Sequence, residues 1–280
     1  MTEILVTGGH GQLGGQLVTR GIARGFAVRG PSSRELDITD PDSLKPQVNA
    51  GSVVINCAAY TAVDAAETDE AGAYEINVVG ARNVAVACAE AGARMIHIST
   101  DYVFAGEAGS PYETDDPTEP RTVYGRTKLG GEEAVHAVLP EAQIVRTAWV
   151  YSGTGSDFVA TMRRLERERD HVKVVTDQVG SPTFAGDLAE ALLDLVELGD
   201  GAAPVLHATN AGRASWFDLA RAVFEEVGAD PDRVVGCTSA EFVRPAPRPS
   251  YSVLSGRAWA ESGLPPLRDW RDALAAALTE

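Results

Sequence analysis

A short apolar run, Ile4–Thr7, leads directly into Gly8-Gly9-His10-Gly11-Gln12-Leu13-Gly14, and Leu13, Leu17, Val18 and Ile22 then recur at helical spacing. This order of strand, glycine-rich turn and amphipathic helix constrains the fold more than any other segment. The glycines satisfy two templates, Gly-x-x-Gly-x-x-Gly from Gly8 and Gly-x-Gly-x-x-Gly from Gly9. In either register the missing Cβ atoms let the backbone approach a pyrophosphate, and the helix N-terminus adds free N–H groups and a favourable dipole. A lone glycine motif is weak, but its place between a strand and a helix gives Gly8, Gly11, Gln12, Leu13 and Gly14 a nucleotide-binding reading.

Further strands are expected at Phe26–Arg29, Val53–Cys57, Met95–Ser99 and Ile144–Thr147. They alternate with helical patterns at Asp42–Val48, Ala71–Ala91 and Tyr124–Val138. Such alternation predicts an α/β fold, a doubly wound parallel Rossmann sheet with helices on both faces. Beyond Trp149 the rhythm changes. A helix over Phe158–Arg169 and a strand over Val172–Thr176 precede a turn at Gly180-Ser181-Pro182 and a helix from Gly186 to Leu198. A strand at Val205–Ala208, a Ser215-capped helix, the loop Arg244-Pro245-Ala246-Pro247-Arg248-Pro249 and a last helix around Trp270–Leu278 follow. The expected division is a dinucleotide-binding domain over 1–150, to which 182–205 returns, and a smaller C-terminal α/β substrate lobe from 151–181 and 206–280.

The formal charge is −16 and the pI about 4.7. This argues against nucleic acid or an anionic membrane as partner, since phosphate surfaces reward clustered Lys and Arg. Only Lys45, Lys128 and Lys173 are lysines among 24 basic residues. Acidity with so little lysine resembles proteins of salt-accumulating organisms, although plain solubility explains the charge equally well. Cys57, Cys88 and Cys237 are far apart and form no Cys-x-x-Cys, as in a reducing compartment. No apolar run approaches the ~18 residues of a membrane span, and no leader is recognisable, so a cytoplasmic location is expected. The five histidines lack metal-ligand spacing, and no Gly-x-Ser-x-Gly elbow is present, so no metal ligand is assigned.

Polar residues cluster where the strands should end. After the second strand Arg29-Gly30-Pro31-Ser32-Ser33-Arg34 offers no acid to a ribose, whereas Ser32, Ser33 and Arg34 suit a 2′-phosphate. Asp37 and Ile38 are placed to bracket an adenine. In Asn56-Cys57-Ala58-Ala59-Tyr60-Thr61 the small residues let a dinucleotide lie flat, and Ser99-Thr100-Asp101-Tyr102 closes the fourth strand. Tyr124 and Lys128 stand one helical turn apart and share a face. A cation ~4 Å from a phenol favours phenolate by about 4 kcal/mol at an effective dielectric of ~20, so Lys128 is expected to bring Tyr124 toward working pH. Trp149, just past a strand, is read as a wall for a sugar; Trp216, Trp259 and Trp270 are read as packing.

These segments together resemble the extended short-chain dehydrogenase/reductase family, and more closely its dTDP-4-dehydrorhamnose reductase branch. The likeness covers nearly the whole chain. Gly11-Gln12-Leu13-Gly14 and Tyr124-Gly125-Arg126-Thr127-Lys128 mark the superfamily. Ser99-Thr100-Asp101-Tyr102-Val103-Phe104 and Asp177-Gln178-Val179-Gly180-Ser181-Pro182-Thr183 point to the branch, with Asn56–Asp64 and Arg146–Tyr151 in support. The resemblance implies reduction of the C4 ketone of dTDP-4-dehydro-6-deoxy-L-mannose to dTDP-L-rhamnose by NADPH or NADH, NADPH being favoured. Tyr124 would donate the proton, Lys128 would hold the nicotinamide ribose and Thr100 would orient the carbonyl. Asp101 and Trp149 would contact the sugar nucleotide, and Gly11, Gln12, Leu13, Asp37, Ile38, Ala59, Tyr60 and Thr61 the dinucleotide. A homodimer is compatible with it. Some members hold magnesium through glutamates at a dimer contact; the matching Gln16, Asp187 and Glu280 lack one carboxylate, which leaves magnesium open. An epimerase of the same superfamily, another sugar-nucleotide reductase and a non-catalytic dinucleotide-binding regulatory subunit are the alternatives.

Overall fold

The computed structural model describes residues 2–279. Six parallel strands make the main sheet: β1 (Glu3–Thr7), β2 (Ala27–Arg29), β3 (Val53–Asn56), β4 (Arg94–Thr100), β5 (Gln143–Thr147) and β6 (Val205–His207), in spatial order β2-β1-β3-β4-β5-β6. The doubly wound parallel sheet expected from the sequence is thus present. The chain runs from β1 outward to β2 and returns to the other side of β1 as β3, so the strand order reverses between β1 and β3. Such a reversal opens a crevice at the strands' carboxyl ends.

Period-two alternation divides the core. Ile4, Val6, Val53 and Ile55 face one layer, where they meet helix α1 (Gln12–Ala23) and a later helix over Ala185–Leu198. Leu5 and Val54 face the other, packed on α2 (Ala81–Ala91) and α3 (Val123–Val138). A separate cluster holds the second lobe. It is built from helices α4 (Phe158–Glu168), α6 (Trp216–Glu226) and α7 (Trp270–Thr279), with Phe184, Phe224, Trp270 and Leu274 buried; Ala185–Leu198 is α5. Leu206 and His207, assigned to the lobe by the sequence boundaries, pair with Val145 and Arg146 in the main sheet. No helix among the described residues is long and apolar enough to cross a membrane.

Two helical expectations differ in detail. The pattern over Asp42–Val48 yields only Pro41–Leu44, capped by the Asp40 side chain on the Asp42 N–H. Pro46 accounts for the early stop, because it has no N–H to donate to the Asp42 carbonyl and its ring crowds that oxygen. The pattern over Ala71–Ala91 is interrupted by a π-helical turn at Glu75–Gly80 between two α-helical pieces. That turn carries Asn77, 1 % exposed, whose amide accepts from the Tyr60 N–H at 2.8 Å and donates to Thr127 Oγ1 at 3.0 Å. π turns of this kind recur where a side chain must be re-aimed at a functional segment.

A buried ion pair fastens α3 to the sheet. Arg146 on β5 donates from Nε (3.0 Å) and Nη2 (2.7 Å) to the two Glu132 oxygens, each side chain only 6 % exposed. Ser99 donates to the same carboxylate, and the guanidinium lies 5.0 Å over the Phe104 ring. Two charges in this interior are tolerable only because the bidentate geometry and the extra donor satisfy them. Removing one partner strands the other. Glu132→Ala is therefore expected to cost about 3–5 kcal/mol, measured as a shift in the urea unfolding midpoint; a loss below about 1 kcal/mol, the range of exposed pairs, would refute this role.

Candidate active site

The crevice at the strand reversal is a cleft of about 1370 Å³ that runs from the glycine turn to the second lobe. At one end, α1 begins at Gly11, which supplies no side-chain cap, so the first-turn N–H groups of Gln12, Leu13 and Gly14 face the cleft. The glycines here are required by contact. Gly8 sits at φ +66°, and a Cβ on Gly14 would stand 2.2 Å from the Gly8 carbonyl oxygen. Beside the turn, β3 ends in Asn56, which accepts from Thr7 Oγ1 and hydrogen-bonds the buried His97 ring at 2.9 Å. This internal pairing frees the following Ala58, Ala59 and Thr61 to form a smooth wall of the cleft. An uncapped helix start against a backbone with almost no side chains fits a pyrophosphate-linked dinucleotide.

Gly8, Gly11, Gln12, Leu13, Gly14, Asp37, Ile38, Ala58, Ala59, Thr61, Thr100, Asp101, Tyr124, Lys128 and Trp149 all line the cleft, as do Ser33 and His10. Two expected cofactor residues do not. Tyr60 turns away, its backbone held by Asn77 and its phenol beside Asp69. Arg34 is exposed and makes no hydrogen bond or ion pair among the described residues, while Ser32 gives its hydroxyl to Glu35 at 2.7 Å.

At the far end of β4, Thr100 accepts from the Tyr102 N–H at 3.2 Å and donates to Asp101 Oδ1 at 3.0 Å. Opposite, Thr122 caps α3 by accepting from the Gly125 N–H, and Glu67 accepts from the Val123 N–H. A Cβ at Gly125 would lie 2.3 Å from the Tyr102 carbonyl oxygen, so the helix seats directly on the β4 exit. That close seating brings Tyr124 onto Tyr102, ring centroids 5.4 Å apart and nearly perpendicular, and points Lys128 at the Ile98 carbonyl, 2.6 Å away.

Desolvation governs the electrostatics. Burial pushes the Tyr124 phenol up to about 12, with the Thr100 hydroxyl opposing and the Asp101 carboxylate reinforcing the shift. The expectation that Lys128 brings Tyr124 toward neutral pH is therefore corrected: Lys128 gives one N–H to the Ile98 carbonyl, and burial sets the direction of the Tyr124 shift. Burial also lowers Lys128 to about 8 against the favourable charge of Glu132, and raises Asp101 to about 6 against the Ser252 and Thr100 hydroxyls. Asp101 Oδ2 has no hydrogen-bond partner. Near neutrality the site thus presents a neutral phenol, a cationic lysine and an ionised aspartate with one unused oxygen. This set can donate a proton and hold hydroxyl groups.

The lobe contributes residues whose role the sequence reading did not foresee. Trp149 adopts φ +48°, a left-handed conformation costing about 1–2 kcal/mol for such a residue, and its indole stacks on Trp216 at 3.6 Å between centroids and 7° between planes. Trp216 was read as packing, yet it lines the cleft, as does Phe158 against it. Asp157 accepts from Gln12 Nε2 at 3.2 Å and from the Ser152 and Gly153 N–H groups, which joins the glycine turn to the lobe. Only the Ser-Asp-Phe and Ser-Trp helix starts advertised these positions. Three positions match the magnesium ligands of some members of the branch. Gln16 accepts from Arg20, Asp187 is held by Arg268 Nε (2.9 Å) and Asn210 Nδ2 (2.7 Å), and Glu280 lies outside the described residues.

The comparisons with known proteins agree with this geometry. A family model described as the RmlD substrate binding domain matches residues 1–280. The dTDP-4-dehydrorhamnose reductase of Mycobacterium tuberculosis (strain CDC 1551 / Oshkosh) is 55% identical over 281 residues, 99% of this chain and 92% of that protein. The protein of the same name from Mycolicibacterium smegmatis is 56% identical over 275 residues, 97% of this chain and 84% of its own. Among solved structures, the Bacillus anthracis dTDP-4-dehydrorhamnose reductase in complex with NADP superposes with a TM-score of 0.94 at 35% identity, covering 100% of this chain and 99% of that one. The chain therefore belongs to the RmlD substrate binding domain family.

Proposed function

We propose that this protein reduces the C4 ketone of dTDP-4-dehydrorhamnose with NADPH, giving dTDP-L-rhamnose. The observation that carries the reading is the convergence of Thr100, Tyr124 and Lys128 at one end of a cleft whose other end is an uncapped helix start. The names of the reductases most similar to it, and the NADP in the Bacillus anthracis structure, supply the substrate and cofactor.

The bound nicotinamide supplies the hydride. The chain's own residues do the rest. Gln12, Leu13 and Gly14 offer N–H groups to the pyrophosphate, and Ala58, Ala59 and Thr61 let the dinucleotide lie flat. Lys128 holds the nicotinamide ribose with its ammonium. Thr100 fixes the ketone oxygen beside the Tyr124 phenol, which donates its proton as negative charge develops there. A phenol raised to about 12 suits this direction, because it is fully protonated before each turnover. Asp101 lines the cleft beside Thr100, from whose hydroxyl it accepts, and is the carboxylate nearest the sugar end of the site.

Tyr124→Phe is expected to leave the NADPH dissociation constant unchanged while lowering kcat by about 10²–10⁴, the range of general-acid contributions. Fluorescence titration and the decay of nicotinamide absorbance measure the two, and an active variant would falsify the assignment. An epimerase would show no net NADPH consumption, and a regulatory subunit would bind NADPH without turnover.

Asp101 is ionised above about 6 and Lys128 is charged below about 8, so kcat/KM should rise through the first value and fall through the second. Asp101→Asn should flatten the acid limb alone. An unchanged limb in that variant would remove Asp101 from the substrate contacts.

Arg34, unpaired and next to the cleft-lining Ser33, is free to meet a 2′-phosphate. Arg34→Ala is expected to weaken NADPH by about tenfold, as one lost charge-assisted contact would, and NADH hardly at all. Equal losses for the two cofactors would return Arg34 to solvent.

A further inference from the structure

Trp149 is the one non-glycine residue with positive φ among those described, and the surrounding lobe is arranged to keep it there. Its carbonyl accepts from the Thr183 N–H at 3.2 Å, and Val150 continues as a short parallel ladder with Thr183. The indole is held on two sides. Trp216 lies flat against it, and Gly180 lies against its Nε1 edge so closely that a Cβ would stand 2.5 Å from the ring. These two supports are linked: Ser215, the residue before Trp216, pairs antiparallel with Val179, and Ala214 with Gly180. Ser215 also forms a reciprocal capping box with Asp218, which fixes the first turn of α6 and hence the plane of Trp216. Phe158 at the start of α4 tilts against the far indole at 4.5 Å, so three rings from three segments make a continuous aromatic wall of the cleft.

From this geometry we infer that Trp216 is a positioning residue for the sugar moiety, acting through Trp149, with Gly180 as the opposing support. The inference rests on the sugar-nucleotide reading of the cleft and deepens it. An aromatic face binds the C–H surface of a pyranose only if its plane is fixed beforehand, since a mobile indole must be ordered at the substrate's expense. The left-handed backbone aims the indole into the cleft, and the stacked Trp216 removes its freedom to rotate away. The glycine turn meets this arrangement only through the Gln12 side chain on Asp157, the residue before Phe158, and its pyrophosphate-binding N–H groups touch none of the three rings, so the dinucleotide should not feel the loss of Trp216.

The test compares Trp216→Ala, Trp216→Phe and Gly180→Ala with the wild type. Two indoles stacked this closely couple excitonically, and their couplet in the circular dichroism spectrum should disappear in both Trp216 variants. Trp216→Ala should raise KM for dTDP-4-dehydrorhamnose by about tenfold, the upper range for one aromatic pair, with kcat changed less and NADPH affinity unchanged. Trp216→Phe should recover most of that KM. Gly180→Ala, which pushes the indole from the other side without deleting a ring, should also raise it. An unchanged KM in Trp216→Ala, or a parallel loss of NADPH affinity showing general disruption, overturns the positioning role. A wild type that binds NADPH but does not turn over this sugar nucleotide overturns the reductase reading and this role with it.

Discussion

The bidentate contact between Arg146 and Glu132 is the joint on which the chemistry depends. It ties the strand that ends at Thr147 to the helix that carries Tyr124 and Lys128, and it recruits Ser99 from the strand that ends at Thr100. Three chain segments, each bringing one part of the site, are thereby clamped at a single carboxylate. Burial gives the clamp its strength: in the interior neither charge can be released to water, so the segments cannot drift apart independently. Glu132 also sits one turn beyond Lys128 and favours the ammonium against the burial that lowers its pKa. One carboxylate therefore serves both framework and electrostatics.

Much of the fold was legible because it obeys simple periods. Val53–Asn56 and Gln143–Thr147 are continuous buried strands, as apolar runs between turn residues imply, and the glycine turn sits where its Cβ-free contacts demand. The strand ends were readable for the same reason: polar residues following an apolar run mark the carboxyl edge of a parallel sheet. Thr100 and Asp101, read from a strand end, and Tyr124 and Lys128, read from their helical spacing, line one cleft. What periodicity cannot encode is direction in irregular backbone. Arg34 lies inside a turn closed by Ser32 and Glu35, Tyr60 is swung outward by Asn77, and both escape any pattern of apolar residues. Trp216 does pack on the lobe core, as an aromatic at the first turn of an amphipathic helix usually does, but here that turn also opens onto the cleft, which no apolar pattern shows.

The electrostatic expectation failed for an instructive reason. Coulomb attraction at an assumed separation favoured a phenolate, but the loss of solvent around the phenol decides the outcome. Lys128 is bonded to a backbone carbonyl, and the phenol lies where ionisation forfeits hydration. The site holds its proton instead of giving it up in advance, an arrangement matched to protonating an oxygen that becomes basic only during hydride arrival.

The chain of Thr7, Asn56 and His97 that crosses β1, β3 and β4 carries a consequence for how the molecule responds to acid and base. Burial holds His97 well below the ordinary imidazole range, and His207 falls to about 3. The centre of the sheet is electrically silent across the interval in which Asp101 and Lys128 change charge. Ionisation is thus sorted in space, with imidazoles at the sheet's centre that stay neutral and a cleft end whose Asp101 and Lys128 respond. The two imidazoles enter only on the acid side, where the unfolded chain takes up protons that the folded one refuses and stability falls with pH.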